Sequence, residues 1–143
     1  MNEAPEHYSD IITVSRVLDL HAEGIKRYQV GEVSAPRPGC VEQCLGNAFN
    51  AEAYAGDPAN GRGLLFAAYS LFYLVQDHCF MDGNKRLGFL VAADVLLAMG
   101  LTLKASEDDA YALVKDVAEG RVSSAEKVAA WLADGHLEAA PAV

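Results

Sequence analysis

The sequence is short of positive charge: 11 Lys and Arg stand against 20 Asp and Glu, for a formal net charge of −9 over 143 residues. A field of that sign repels phosphate backbones and anionic lipid surfaces, so direct binding to nucleic acid is not expected. Cysteine is scarce as well. Cys40, Cys44 and Cys79 are odd in number and lack the spacing of a disulfide-rich scaffold, and the N-terminal stretch has neither the basic nor the apolar segment of a secretory signal. These features predict partly buried thiols in a reducing cytoplasm. Cys40 and Cys44 lie one helical turn apart, but neither a second pair nor a nearby histidine completes a tetrahedral metal set. No apolar run reaches the ~20 residues that cross a bilayer, so no membrane association is expected. Repeats, low-complexity tracts and linkers are missing too, which leaves one domain over 1–143 with a core at about 11–134 and frayed ends.

What is present is helical periodicity. Val14, Val17, Leu18, Ile25 and Tyr28 share one face between Thr13 and about Gln29, with Thr13 or Ser15 as the cap. Glycines and prolines make a loop of 30–39, a second helix follows from Cys40 to about Asn50, and another loop covers Gly56 to Gly63. The stretches 64–75 and 87–99 are apolar on every side apart from Gly88 and Asp94, which places both helices in the middle of a bundle. Gly100 ends the second of them, and Leu101 to Lys104 form a short extended piece. Ser106 caps a helix to about Glu119, and Ser123 or Ser124 caps a last one through Leu132. The predicted fold class is all-α, a compact bundle of about six helices with little or no sheet.

Between the two most apolar helices lies the polar run His78-Cys79-Phe80-Met81-Asp82-Gly83-Asn84-Lys85-Arg86. It must sit where the core reaches the surface, which is where pockets form. Gly83, Asn84, Lys85 and Arg86 lead into a helix whose first N–H groups have no internal partners, an arrangement that binds phosphate. Asp82 can hold Mg²⁺ shared with phosphate oxygens, and His78 can take a proton from an attacking hydroxyl. Taken singly, His78 suits a helix end and Asp82-Gly83-Asn84 suits an ordinary turn and cap. Together they supply base, metal ligand and anion cradle within nine residues. A metal hydrolase built from His21, His78 and Asp82 has no helical histidine pair to support it.

This run resembles the Fic/Doc motif H-x-F-x-[D/N]-[G/A]-N-x-R, with His78, Phe80, Asp82, Gly83, Asn84 and Arg86 on its six fixed positions. Lys85 in the variable place is similar to the Doc branch. Weaker similarity covers the first helix with His21, the segment from Arg37 to Leu45, the apolar helix before His78 and the Glu119-Gly120 turn. The resemblance implies a small helical bundle, His78 as general base toward a Ser, Thr or Tyr hydroxyl of a target protein, and Asp82 as the Mg²⁺ ligand. Gly83, Asn84, Lys85 and Arg86 would form the anion hole, and the segment from Asn47 to Gly56 takes the place of the flap that aligns the target. Fic adenylyltransferases carry Gly where this chain has Lys85 and a second Arg where it has Phe89. The Doc prototype phosphorylates elongation factor Tu and arrests translation. The implied activity is therefore phosphoryl transfer from ATP or another nucleoside triphosphate by a toxin, with protein adenylylation as the alternative and a catalytically silent peptide-binding module as a further one. The inhibitory helix [S/T]-x-x-x-E-[G/N] has no match, since Asp19 and Lys115 precede Glu23 and Glu119 by four. A Phd-like antitoxin acting in trans is the implied partner.

Overall fold

Thr13 starts the first helix by local chemistry: its hydroxyl accepts the Arg16 N–H at 3.1 Å and satisfies one of the orphan donors of the first turn. The computed structural model describes residues 5–29, 31–55 and 61–141, and in it helix α1 runs Val14–Tyr28 until Gln29 turns left-handed at φ 52°. Helix α2 covers Cys40–Ala55, about a turn beyond its expected end. Ala51, Glu52, Ala53 and Ala55 are good helix formers and carry it on. Helix α3 covers Gly61–Asp77 and takes up the last residues of the predicted 56–63 loop, whose remainder lies outside the described residues. Helix α4 follows at Asn84–Ala98, α5 at Glu107–Ala118 and α6 at Ala125–Ala133. Ser106 and Ser124 cap the last two through bonds from the N–H groups of Asp109 and Lys127.

Helix α3 forms the centre. Phe66, Leu71, Leu74 and Val75 are fully buried, as are Val91, Val95 and Leu96 of α4, and each such side chain contributes roughly 1.5–3 kcal/mol by leaving water. Gly88 explains its own presence in an apolar helix. A Cβ there would lie 2.6 Å from Val75 Cγ2 and 3.1 Å from the Leu71 carbonyl oxygen, so glycine lets α4 press directly on α3. Asp94, the lone charge in the second half of α4, faces α1, where the Arg16 guanidinium grips it with bonds of 2.9 and 3.2 Å. Tyr69 ties α3 to α6 by donating its hydroxyl to Glu126 at 2.5 Å.

The fold is all-α, with six α-helices and one small two-stranded sheet among the described residues, in line with the expected bundle of about six helices with little or no sheet. One correction concerns the C-terminal end. Fraying was expected after Asp134, but β2, Leu137–Ala139, pairs antiparallel with β1, Leu101–Leu103, in the register Leu101↔Ala139 and Leu103↔Leu137. A three-residue strand has too little alternation to be seen alone. It exists because β1, some 35 residues earlier, offers it a template.

Candidate functional site

Helix α3 stops at Asp77 because His78 adopts φ 48°, a left-handed conformation that costs a non-glycine residue on the order of 1 kcal/mol. The two residues after it turn inward: Cys79 and Phe80 are buried, while His78 itself is exposed. Asn84 then brackets Phe80, accepting its N–H at 3.1 Å and donating to its carbonyl at 2.8 Å. The Asn84 side chain is thus committed to shaping the turn, and only its main chain can meet a ligand. His21 of α1 completes the support. Its ring stacks on Phe80 at a centroid distance of 3.7 Å, and its Nε2–H donates to the Asp82 carbonyl at 2.8 Å. A buried histidine so engaged holds the loop, which removes it from the metal-hydrolase set.

The segment before α2 fastens the same turn from the other side. The Arg37 N–H donates to the Cys79 carbonyl at 2.8 Å and the Arg37 guanidinium donates to the Asp77 carbonyl, so one residue grips the chain on both sides of His78. The cysteine expectation needs correction here. Cys40 and Cys79 form a disulfide across 39 residues, with Cα atoms 5.5 Å apart, in place of two free thiols. Cys44 stays a buried thiol 3.7 Å from the Cys79 sulfur, and burial, together with its bond to the Asp77 carboxylate, pushes its pKa up. Cys79 is therefore the third sulfur that the spacing of Cys40 and Cys44 alone did not offer. Its closeness depends on the α2–α3 packing and has no local signal.

Gly83 is the N-cap of α4, at φ 81°, and no side chain caps this helix end. The N–H groups of Asn84, Lys85 and Arg86 are consequently the unpartnered first-turn donors, with the positive end of the helix dipole behind them. Asp82, Gly83, Asn84, Lys85 and Arg86 together line a cleft of about 420 Å³. The expected anion cradle and the expected metal ligand therefore share one wall. His78 does not line this cleft and stands in solvent beside it.

The other walls were not foreseen. Tyr28 and Gly31 come from the end of α1 and the following loop, Ser106 is the cap of α5, and Tyr111 and Val114 come from α5 itself. The Arg86 guanidinium lies 3.6 Å over the Tyr28 ring, a cation–π contact that fixes the arginine along the wall. Gly31, at φ 84°, meets Asp82 so closely that a Cβ would stand 2.4 Å from the Asp82 Cβ. One Asp82 oxygen takes the Glu32 N–H at 3.4 Å. Only the φ-permissive glycine in the 30–39 loop hinted at this approach. Of the flap-like segment, 47–55 continue α2 and Gly56 lies outside the described residues.

Lined by the cations Lys85 and Arg86 and by the apolar Phe89, Leu90 and Val114, the cleft suits a ligand with an anionic end and an apolar or aromatic body. No helix among the described residues is long and apolar enough to cross a membrane. Among curated proteins, none matches the chain. Residues 11–96, more than half of its length, match the model of the Fic/DOC family, whose members transfer nucleotide-derived groups to proteins, and the chain belongs to that family.

Proposed function

We propose that this protein is a Doc-type kinase toxin, which moves the terminal phosphoryl group of ATP or another nucleoside triphosphate to a hydroxyl of a target protein. The observation that carries the reading is the shared wall: Asp82, Gly83, the first turn of α4 and the cations Lys85 and Arg86 face one cleft. Catalysis of phosphoryl transfer is almost wholly positioning and charge stabilisation, and this wall supplies both. The phosphates would lie on the N–H groups of Asn84, Lys85 and Arg86, with Arg86 kept in place by Tyr28.

Asp82 fits Mg²⁺: its carboxylate lines the cleft next to the phosphate donors, and a single carboxylate suffices when phosphates complete the shell. The bound metal would neutralise charge on the phosphate oxygens. His78, exposed and four residues before Asp82, would accept the proton of the incoming hydroxyl. The hydroxyl oxygen forms a bond to the terminal phosphorus as the bond to the nucleoside diphosphate breaks, and the diphosphate leaves with its electron pair. Lys85 adds bulk and charge where adenylyltransferases have glycine, and Phe89 in the cleft replaces their second arginine, so attack at the alpha phosphate is disfavoured.

The proposed setting is a cytoplasmic toxin–antitoxin pair, with elongation factor Tu as the target, arrest of translation as the outcome and a Phd-like antitoxin in trans. The acidic net charge suits a basic antitoxin segment that orders on binding. Incubation with target and ATP labelled at the alpha or the gamma phosphate tests the reading. Gamma label on the target is expected, and a gain of one adenylate by intact mass would refute it.

A further inference from the structure

The Cys40–Cys79 disulfide sits beside the residue on which transfer would depend. Cys79 immediately follows His78, and Cys40 is the first residue of α2, so the bond joins the catalytic turn to the helix that lies against it. A domain of this size does not need a staple to hold its core. In a reducing compartment a disulfide is transient, catalytic or redox-sensing more often than structural.

We propose that Cys40 and Cys79 form a reversible redox site, with a dithiol reductant as its reaction partner, and that the oxidised pair holds His78 in position for transfer. The proposal rests on the kinase reading for its effect on activity, though not for the chemistry of the sulfurs.

Three observations support the assignment. The first is placement. His78 keeps a left-handed backbone that the surroundings must impose, and its two neighbours, Asp77 and Cys79, are bonded by Arg37, Cys40 and Cys44, with the Cys40 bond the covalent one. Opening the disulfide removes the covalent bond and leaves hydrogen bonds from Arg37 and Cys44 to hold the turn on this side.

The second is asymmetry between the sulfurs. Cys40 stands at the N-terminus of α2 with the Arg37 guanidinium 3.4 Å from its Sγ, surroundings that favour a thiolate. It is also the more exposed residue of the pair, at 8% against 1%. A reductant thiolate attacks Cys40 Sγ, the disulfide breaks and Cys79 leaves as a thiolate that takes up a proton. The reductant's second thiol then loses its proton, attacks the mixed disulfide and displaces Cys40 as a thiolate, which takes up the second proton. Two electrons and two protons pass from the dithiol, which ends as a disulfide, to the protein, which ends with two thiols.

The third is that Cys44 does not interfere. It lies close to Cys79, but its S–H donates to an Asp77 carboxylate oxygen at 3.2 Å and burial keeps it protonated. A protonated thiol is no nucleophile, so the pairing stays with Cys40.

The test equilibrates the full-length protein in dithiol–disulfide buffers, counts free thiols by acid quenching, alkylation in denaturant and mass spectrometry, and measures gamma-phosphoryl transfer and amide exchange across 77–81 in each. We expect one alkylated cysteine when oxidised and three when reduced, with transfer falling about tenfold and exchange rising on reduction, short of the 10²-fold that a 1 Å misplacement can cost. Cys40→Ser and Cys79→Ser should match the reduced wild type and ignore the buffer, while Cys44→Ser keeps the response. Three free thiols in every buffer would overturn the proposal, as would binding of one Zn²⁺ per reduced chain in place of reoxidation. Equal transfer by wild type and Cys40→Ser in all buffers would also overturn it. If no state transfers phosphate, the kinase reading fails by itself. Amide exchange then decides the redox site: buffer-dependent exchange across 77–81 supports it and buffer-independent exchange sinks it.

Discussion

Gly83→Ala isolates what the proposed anion cradle demands of its backbone. The residue sits at φ 81°, where an alanine costs roughly 1–2 kcal/mol. Its added Cβ would also lie 2.8 Å from Ile25 Cδ1 and 3.4 Å from His21 Nε2, the atom that holds the Asp82 carbonyl. Crowding of this kind in packed surroundings costs about 1–3 kcal/mol more. Gly100 provides the internal control, because it has the same φ of 81° but nothing within 4 Å of an added Cβ. Gly100→Ala should therefore show the backbone cost alone, and Gly83→Ala should exceed it by about 1 kcal/mol or more in urea unfolding. Nucleotide binding adds a second readout. Displacing His21 moves Asp82 and the first turn of α4 together, so Gly83→Ala should weaken binding in calorimetry while Gly100→Ala leaves it unchanged. Equal losses of stability in the two variants would refute the claim that Gly83 is wedged against α1.

Three further outcomes are expected. His78→Ala should cost 10²- to 10⁴-fold in transfer, yet stay within about 0.5 kcal/mol of the wild type in unfolding, because the imidazole is exposed; full activity in a folded variant would remove the base from the scheme. Asp82→Ala should abolish the Mg²⁺ dependence of nucleotide binding, and an unchanged dependence in calorimetry would make Asp82 a mere partner of the Glu32 N–H. Tyr69→Phe should cost about 1–2 kcal/mol near neutral pH. The bond to Glu126, aided by burial, pushes the Tyr69 pKa up to about 12, and the same bond holds Glu126 below the usual carboxylate range. The raised tyrosine contributes stability that is complete below its ordinary value of about 10 and is lost as pH rises toward 12. The lowered carboxylate contributes stability above its ordinary value that is lost as pH falls through the depressed one. Unfolding midpoints across pH should thus show both limbs flattened in Tyr69→Phe, and parallel curves would contradict the linkage.

Legibility in the sequence followed the range of each interaction. Thr13, Ser106 and Ser124 were readable as caps because a cap bonds to N–H groups three residues away, and α1, α5 and α6 begin where those residues stand. Residues 82–86 were readable as one wall because a helix start brings neighbours in sequence to one surface. Features that depend on packing were not. The strand β2 needs β1, Tyr28 reaches Arg86 only once α1 lies against α4, and Cys40 meets Cys79 only through the α2–α3 contact.

Those same long-range features separate two jobs inside one motif. Asn84 and Phe80 are fixed motif positions, yet their side chains face the interior and bond or stack with each other and with His21. Gly83, Lys85 and Arg86 face the cleft. A substitution at Phe80 or Asn84 would therefore remove activity by letting the loop collapse, and one at Lys85 would do so with the loop intact. The motif is a folding unit that carries one wall of the cleft, with His78 exposed at its start. Its backbone is set by Arg37 and Cys40 from one side and by Cys79 and Phe80 from the other, while its imidazole remains in solvent. The proposed base is thus held by its main chain, so the residues that govern its aim are those that touch the carbonyls of Asp77 and Cys79.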